Sequence, residues 1–433
     1  MKKKPTSEVI YEMSNKQKID SLIVATLIGI QPVFMLSVGY TSTIFYILSF
    51  VCLTLCFSRK GGITATIDDW LRYKWLGICL SFSIFVVLMV AIVDQRMLGS
   101  ALERSVRVCF GLLFVLSACL SLEPRSLRQS VWGIGLSSFF SAVISFWLAW
   151  PDFSRPDVPE YNAVSYGNLA LLTSVITILS LGWKLTKHQK IEISLKLIII
   201  TSGIFGFILT QTRSGWVAVP FFIFIGMLLI KNNYSIQRLM GIFISLIFIA
   251  FVAFASSKTL VDRAHNAAEE INECIVQPLS NTSICIRLQL WRASWEMFKQ
   301  DPFLGIGGAD RFGEELKLLS EKNIVSKFII DEGFEEPHND IFYAMASYGS
   351  LGLISILLLY IAPGWIFAKR LLSRESMNLR VAAAMGLTVC VGFFIFGITE
   401  LMFRGMRTMG FYAVTIAWLL ALSDRIFLKR DLS

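Results

Sequence analysis

Two arginines suit the binding of a phosphorylated substrate. Arg213 lies in the sequence Thr212-Arg213-Ser214-Gly215-Trp216, a very short connection between two apolar segments, and Arg287 lies in an amphipathic segment that begins at Ser283. A guanidinium binds phosphate oxygens through two parallel hydrogen bonds. Arg213 and Arg287 are therefore candidate phosphate-binding residues. An arginine that only extends to the polar rim of a membrane is the alternative for Arg213, and the sequence leaves it open.

One histidine stands just before an apolar segment, in Glu335-Glu336-Pro337-His338-Asn339-Asp340. The chain contains only three His; His188 falls in a basic segment, and His265 is a competing candidate in loop-like surroundings. A helix N-terminus disfavours a protonated imidazole, whereas the neighbouring carboxylates favour it. The sequence does not decide between them. His338 is predicted either to act as a general base toward a hydroxyl or to be a surface or capping residue.

The segment around Arg287 has the spacing of an amphipathic helix. Its apolar residues recur at intervals of three and four, at Ile284, Leu288, Trp291, Trp295 and Phe298. This period predicts a helix, which Pro302 and the glycines that follow terminate. Arg287, Trp291 and Trp295 then lie along one face. That face is predicted to be an aromatic wall beside a cation, or alternatively a surface that packs on the membrane rim.

The composition of the chain predicts the secondary-structure elements that must position these residues. Of 433 residues, 55% are hydrophobic and only 16% are charged, and long blocks such as 76–93 and 239–256 contain no charge. Blocks of about 18 apolar residues can cross a ~30 Å hydrocarbon core, so a soluble protein is excluded. The net charge of +9 sits in short clusters between apolar blocks, which disfavours nucleic-acid binding. The blocks lack the alternation of barrel strands, so the predicted fold class is an all-α polytopic membrane protein.

Twelve spans are predicted, at 21–37, 42–57, 75–93, 106–122, 131–150, 167–183, 195–212, 215–230, 239–256, 343–368, 381–399 and 409–424. Most Lys and Arg of the short connections fall on the side of both termini, which predicts an N-in/C-in orientation. The domains are then a cytoplasmic segment 1–20, spans one to nine in 21–256, an outer loop domain 257–340, spans ten to twelve in 341–424, and a cytoplasmic segment 425–433.

The cysteines and the absence of several motifs limit the kinds of reaction that the sequence supports. Cys274 and Cys285 are the only Cys outside the predicted spans, and an oxidising compartment would allow them to form a disulfide. The chain has no phosphate-binding glycine-rich loop, no His-Glu-x-x-His and no loop Cys-x-x-Cys, which disfavours ATP hydrolysis and a zinc centre. The predicted spans are almost free of charge at their centres, which is unusual for a secondary transporter.

Three motifs in order resemble those of a known family. They are Thr212–Trp216, the sequence Pro302-Phe303-Leu304-Gly305-Ile306-Gly307, and His338-Asn339 followed after nine residues by Gly349-Ser350-Leu351-Gly352. Together with the span count and the long loop before span ten, they resemble the bacterial lipopolysaccharide O-antigen ligases. The wider superfamily includes O-antigen polymerases and protein O-oligosaccharyltransferases.

The resemblance implies an inverting glycosyltransferase that needs no metal, cofactor or nucleotide. Its donor would be an undecaprenyl-diphosphate-linked glycan, and its acceptor a sugar hydroxyl of lipid A-core. The family's arginines and histidine map to Arg213, Arg287 and His338, which would be the catalytic residues. Arg404 and Arg407 are predicted auxiliary diphosphate contacts, and Trp291, Trp295 and Asn339 a substrate wall. The location implied is the bacterial inner membrane, with the active site facing the periplasm.

Other functions remain open on the sequence. Polymerase and protein O-oligosaccharyltransferase activities are the enzymatic alternatives, since they share the donor and differ in the acceptor. A lipid-linked-glycan transporter is the non-enzymatic alternative. An assay of purified protein with the two lipids separates transfer from transport.

Overall fold

The described first part of the chain folds into eleven α-helices. Nine of them coincide with spans that the sequence predicts from its apolar blocks, and the two shorter ones, at 62–72 and 124–128, are additional. The computed structural model describes residues 15–37, 39–96, 98–156, 158, 163–231, 235–256 and 258–426. In these ranges the first eleven helices are α1 (Asn15–Met35), α2 (Thr41–Ser58), α3 (Gly62–Arg72), α4 (Lys74–Val93), α5 (Gly99–Ser121), α6 (Pro124–Arg128), α7 (Val131–Ala149), α8 (Ala163–Leu179), α9 (Gln189–Leu209), α10 (Arg213–Ile230) and α11 (Ile236–Ser256).

The remaining helices form the loop domain and the last spans. They are α12 (Lys258–Val276), α13 (Ser283–Gln300), α14 (Phe312–Glu321), α15 (Lys327–Asp331), α16 (Asp340–Leu372), α17 (Met377–Gly397) and α18 (Met406–Leu422). The described residues contain no β-strand, so the all-α class is confirmed. The predicted terminal segments 1–20 and 425–433 lie partly outside the described residues.

Ten of the described helices are long and apolar enough to cross a membrane, when α6 and α7 are taken as one segment. The other two predicted spans coincide with α11, of 21 residues, and with α18, a shorter apolar helix of 17 residues. The protein is therefore a polytopic membrane protein. The tenth predicted span, 343–368, is too short, because α16 extends over Asp340–Leu372. The residues that α16 adds at its two ends include the charged Asp340, Lys369 and Arg370, which is why hydropathy does not detect these ends.

The centre of the bundle is formed by α8, α17 and α18, whose side chains are mostly buried. Trp418 of α18 is fully buried and contacts Trp183 edge to face, at 6.2 Å between ring centroids. At the periphery, α1 and α7 approach closely, because a Cβ on Gly133 would lie 2.1 Å from the carbonyl oxygen of Gly29. Small residues at such crossings are typical of membrane helices, which gain their association energy from close packing.

A salt-bridge network around Asp424 connects helices at the end of the bundle opposite His338. Asp424 is buried and accepts hydrogen bonds from Arg72 at 2.5 Å, from the Tyr73 hydroxyl at 2.5 Å and from Arg370 at 3.0 Å. These residues come from α3, the α3–α4 junction and α16. The buried carboxylate of Asp424 has enough hydrogen-bond donors to compensate its burial. The network therefore serves to hold these helices together.

The loop domain, residues 258–339, has its own apolar core. Leu290 and Met297 of α13 pack with Phe312 and Leu316 of α14, and all four are fully buried. The core also includes Ala346 of α16, so the domain is packed directly on the bundle. A disulfide between Cys274 and Cys285, with an S–S distance of 1.97 Å, joins α12 to α13. The predicted pairing is thus present in the structure.

The glycine-rich segment Pro302–Gly308 inserts into a kink of α16. The kink lies at Tyr348 and Gly349, whose φ is 62° and ψ −151°. Three backbone bonds of 2.9 Å close it: Ile306 N–H to the Ala346 carbonyl, Gly308 N–H to Ser347, and Ser350 N–H to Pro302. The segment thus supplies the backbone partners that the broken helix lacks, as groups at membrane depth require. This contact brings the two glycine motifs of the sequence together.

Candidate active site

Five charged or titratable side chains form a continuous ionic cluster where the loop domain, the start of α16 and the α17–α18 connection meet. Glu400 is buried, and its Oε1 pairs with Arg287 at 3.2 Å. Its Oε2 lies 3.5 Å from Nδ1 of His338. The same nitrogen is 3.6 Å from Glu336, which in turn pairs with Arg404. The structure therefore brings together three residues predicted from the sequence and adds two carboxylates.

Asp340 positions the connection that carries Glu400 and Arg404. Its buried carboxylate accepts hydrogen bonds from the Tyr360 hydroxyl at 2.8 Å and from the backbone N–H groups of Met402 at 3.1 Å and Phe403 at 3.2 Å. The first residue of α16 thus fixes the backbone between α17 and α18. Because Glu400 lies two residues before this anchor, its distance to His338 is set by backbone contacts.

Asn339 caps α16, which corrects its predicted place in a substrate wall. Its Oδ1 accepts hydrogen bonds from the N–H groups of Ile341 at 2.9 Å and Phe342 at 3.1 Å, and its Nδ2 donates to the Ile398 carbonyl at 2.8 Å. The side chain is buried. Asparagine is among the preferred N-cap residues because its oxygen reaches these two donors. Its oxygen and one of its two amide N–H groups are thus used within the protein.

His338 precedes the cap in a left-handed backbone conformation, with φ 49°. This conformation turns the residue out of the α16 helix, and its side chain is 18% exposed. Its ring contacts Phe334 edge to face at 5.9 Å. A left-handed backbone at a non-glycine residue carries strain and occurs preferentially at functional sites. His338 therefore lies at the edge of the cluster with a partly exposed ring, and it is not the N-cap of α16.

The two carboxylates determine the electrostatics of His338. Both face Nδ1, which makes no well-aligned hydrogen bond in the described structure. Negative charge beside Nδ1 favours a proton on that nitrogen, which leaves Nε2 as the proton acceptor. Burial raises the pKa of Glu336, while Arg404 and His338 act in the opposite direction. The arrangement is that of a general base oriented by acidic partners.

The two tryptophans of the predicted wall have different surroundings. Trp291 stacks on Phe342 at 5.5 Å and its Nε1 donates to the Pro337 carbonyl at 3.0 Å. It therefore fixes the backbone next to His338 and is partly covered. Trp295 is 48% exposed and contacts Phe298. Only Trp295 presents a largely free ring, as a surface for stacking requires.

Arg213 begins α10 in a tightly packed turn. Ser214 donates a hydrogen bond to Asn168 at 3.1 Å, and a Cβ on Gly167 would lie 2.4 Å from the hydroxyl oxygen of Thr212. The Arg213 side chain is exposed. Among the described residues, no contact joins it to Arg287 or His338. The turn holds the guanidinium at the predicted outer end of the bundle.

The remaining predicted cations differ in position. Arg404 pairs with Glu336, and its backbone carbonyl accepts a hydrogen bond of 2.7 Å from Arg104. Arg407 lies in the first turn of α18. His265 is exposed on α12 and does not belong to the cluster.

Sequence reasoning missed Glu400 and Arg104. Glu400 carries one available signal, as the only acidic residue in the α17–α18 connection 398–405.

The fold and this site define a polytopic membrane protein with an ionic site at the junction of a loop domain and the bundle. Residues 197–357 match the model of the O-antigen ligase family. This segment, which contains Arg213, Arg287 and His338, is similar to the O-antigen ligase family over 161 of the 433 residues. The resemblance seen in the sequence is confirmed. Glu400 and Arg404 lie beyond the matched residues.

A relative from Haemophilus influenzae is also similar to this chain. It is an uncharacterized protein that is 26% identical over 222 residues, covering 49% of this chain and 53% of the relative. The chain thus aligns with about half the length of this relative.

Proposed function

We propose that the protein is an O-antigen ligase. It transfers a glycan from undecaprenyl diphosphate to a sugar hydroxyl of lipid A-core, at the periplasmic face of a bacterial inner membrane. The observation that carries the proposal is the position of Glu400, which contacts both Arg287 and His338. One buried carboxylate places a phosphate-binding cation beside a potential base, as transfer from a lipid diphosphate to a hydroxyl requires.

In the proposed step, Nε2 of His338 accepts the proton of the acceptor hydroxyl while its oxygen attacks C1 of the donor sugar. The bond between C1 and the diphosphate oxygen breaks, with inversion at C1. The leaving diphosphate carries the released electron pair, and Arg287 and Arg213 stabilise its charge. Glu336 and Glu400 stabilise the imidazolium that forms. The step uses no metal or nucleotide.

The test is transfer by purified protein in lipid nanodiscs, with an undecaprenyl-diphosphate-linked glycan and lipid A-core, and without nucleotide. His338→Ala should lower the rate roughly 10²-fold or more, as is typical when a general base is removed. His265→Ala is the matched control, because this histidine is exposed and outside the cluster. Full transfer by His338→Ala would contradict the assigned base. In proteoliposomes, movement of the donor across the membrane without transfer would instead support a carrier.

The acceptor is tested in the same assay. Lipid A-core is replaced in turn by a second lipid-linked glycan and by a peptide that carries Ser and Thr. Preferred transfer to the first substitute would indicate a polymerase, and to the second a protein O-oligosaccharyltransferase. A ligase uses lipid A-core in preference to both.

A further inference from the structure

A groove lies on the surface of the bundle between α3, α4 and α5, at the same end as the Asp424 network. This is the predicted cytoplasmic end. Gly77, Ile78 and Phe85 of α4 line one wall, and Leu113 of α5 lies next to them. The volume of the groove is about 500 Å³, within the range of roughly 300–1,000 Å³ that is usual for ligand pockets. Its lining is largely apolar, which suits a hydrocarbon chain.

Helix α3 closes one end of this groove. Ile67, Trp70 and Leu71 of α3 belong to the lining. Trp70 fixes the helix, because its Nε1 donates a hydrogen bond to the Leu113 carbonyl at 3.3 Å and its ring contacts Phe114 edge to face at 5.2 Å. Ile67 and Leu71, four residues apart, are exposed, as in an amphipathic helix that lies in the membrane interface. The groove therefore begins near the level of the lipid headgroups.

The length of the groove corresponds to one leaflet. From Lys74 to Phe85, α4 rises roughly 16 Å, and half of a ~30 Å hydrocarbon core is about 15 Å. The groove also has open space along this wall, since a Cβ on Gly77 would meet nothing within 4 Å. The groove thus has the depth that an acyl chain of one leaflet occupies.

Lys74 supplies a positive charge at the mouth of the groove. Its side chain is exposed, and its ammonium lies 5.7 Å from the centroid of the Trp75 ring. Among the described residues no carboxylate pairs with it, whereas the nearby Arg59 pairs with Asp69 at 2.7 Å. Residues 58–75 contain four basic and two acidic side chains, so the surroundings are positive. A phosphate at the mouth would therefore meet an unpaired ammonium.

We propose that the groove binds a phospholipid with an anionic headgroup, whose phosphate contacts Lys74 and one of whose acyl chains lies along α4 from Gly77 to Phe85. A hydrocarbon chain gains little by moving from the bilayer into the groove, because both are apolar. The charge at the mouth must therefore set the preference for this lipid. One basic residue near an anionic membrane surface contributes about a fivefold factor in binding. The inference does not depend on the proposed transfer reaction.

A second apolar cleft serves as a comparison. It lies between α8, α10 and α11 and has a volume of about 680 Å³. Its lining, over the described residues, contains no charged side chain. A Cβ on Gly226, which lines this cleft, would also meet nothing within 4 Å. The cleft thus resembles the groove in its apolar character and differs from it in charge.

The experiment uses the purified protein in phosphatidylcholine nanodiscs that contain phosphatidylglycerol with a photoactivatable group in one acyl chain. Cross-linked peptides are mapped by mass spectrometry, and we expect labelling of residues 77–85. Excess unlabelled phosphatidylglycerol should compete with this labelling about 5-fold more effectively than the same amount of phosphatidylcholine. Equal competition by the two lipids would show a general lipid contact and overturn the proposal, as would the absence of labelling at 77–85.

The headgroup contact is tested by removing the charge. Lys74→Gln should lower the labelling of residues 77–85 about 5-fold, and Lys74→Arg, which keeps the charge, should retain most of it. Lys369→Gln is the matched control, because Lys369 also lies over an exposed tryptophan, Trp365, at 4.8 Å but does not line the groove. Equal labelling of the two Lys→Gln variants would overturn the contact.

The acyl-chain position is tested by filling the groove. Gly77→Leu should lower the labelling of residues 78–85 about 3-fold or more, because the chain loses its van der Waals contacts with α4. Gly226→Leu is the matched control, since it fills the second cleft in the same way. Melting temperatures report whether both variants fold, and Ser81→Leu replaces Gly77→Leu if that variant does not. Unchanged labelling in a folded, filled variant would overturn the groove as the lipid site.

Discussion

Nδ1 of His338 lies 3.5 Å from Oε2 of Glu400. The other oxygen of this buried carboxylate pairs with Arg287 at 3.2 Å. The base and the cation of the proposed reaction therefore share one anchor, which the α17–α18 connection supplies. A change at Glu400 should displace both groups, although it contacts neither substrate in the proposed mechanism.

Glu400→Gln keeps the size of the side chain and removes its charge. We expect transfer to fall roughly 10-fold or more, mainly in kcat, because Glu400 positions the reacting groups and does not bind substrate directly. Glu400→Asp should restore part of the loss. Glu375→Gln, which affects an ion pair with the exposed Arg425, is the control. A loss explained entirely by lower protein stability would show that Glu400 is only structural.

Arg213 and Arg287 are expected to act on one diphosphate. Lys at either position keeps the charge and loses the planar fork, so each Arg→Lys variant should reduce kcat more than donor binding. The two losses should be non-additive in the double variant, because the groups serve the same transition state. Steady-state kinetics of both single variants and the double variant provide the measurement. Strictly additive effects on binding alone would favour the transporter.

Glu336 should make stability depend on pH. Burial raises its folded-state pKa above the usual value near 4.5, so folding favours the protonated form. Both states are protonated below the usual value. As pH rises from there through the raised value, the unfolded state loses its proton first and the fold loses stability. The melting temperature of Glu336→Gln relative to wild type should therefore increase with pH. The same comparison with Glu335→Gln, at an exposed neighbour, is the control, and an equal pH trend there would contradict the assignment.

Gly349→Ala should strongly destabilise the protein. The residue has φ 62°, and an added Cβ would lie 2.3 Å from the carbonyl carbon of Phe303. The kink would have to open and the Pro302–Gly308 segment would have to move. Gly364→Ala on the same helix is the matched control, since its Cβ would meet nothing nearer than 3.5 Å. Protein level and melting temperature measure the effect, and equal behaviour of the two variants would contradict it.

Much of the fold is predictable because hydropathy and length determine which segments can cross a membrane. Each predicted span coincides with a helix, and the period of 283–298 locates α13 correctly. The ends were less accurate where polar residues extend a helix, as at Asp340. Cap chemistry explains this error, because Asn339 and Asp340 satisfy backbone groups that no apolar pattern reports.

The candidate site was predicted only in part. His338, Arg287 and Arg404 were selected by residue type and position relative to the spans. Glu400 could not be connected to them, because more than sixty residues separate it from His338 and only the folded α16 and α17 bring them together. The role of Asn339 was wrong, since a cap and a ligand contact use the same amide and sequence does not show which partner it has.

The kink in α16 also makes the shape of one span depend on a segment that is synthesised before it. The N–H groups that pair with Ala346 and Ser347 belong to Ile306 and Gly308, which are synthesised before α16. The bent form of the span depends on this upstream segment for two backbone hydrogen bonds, so the loop domain acts as a template for the span that follows it. In a peptide of α16 alone, the carbonyls of Ala346 and Ser347 would find backbone partners only if the helix were unbroken. The geometry of this transmembrane helix therefore depends on the fold of the loop domain.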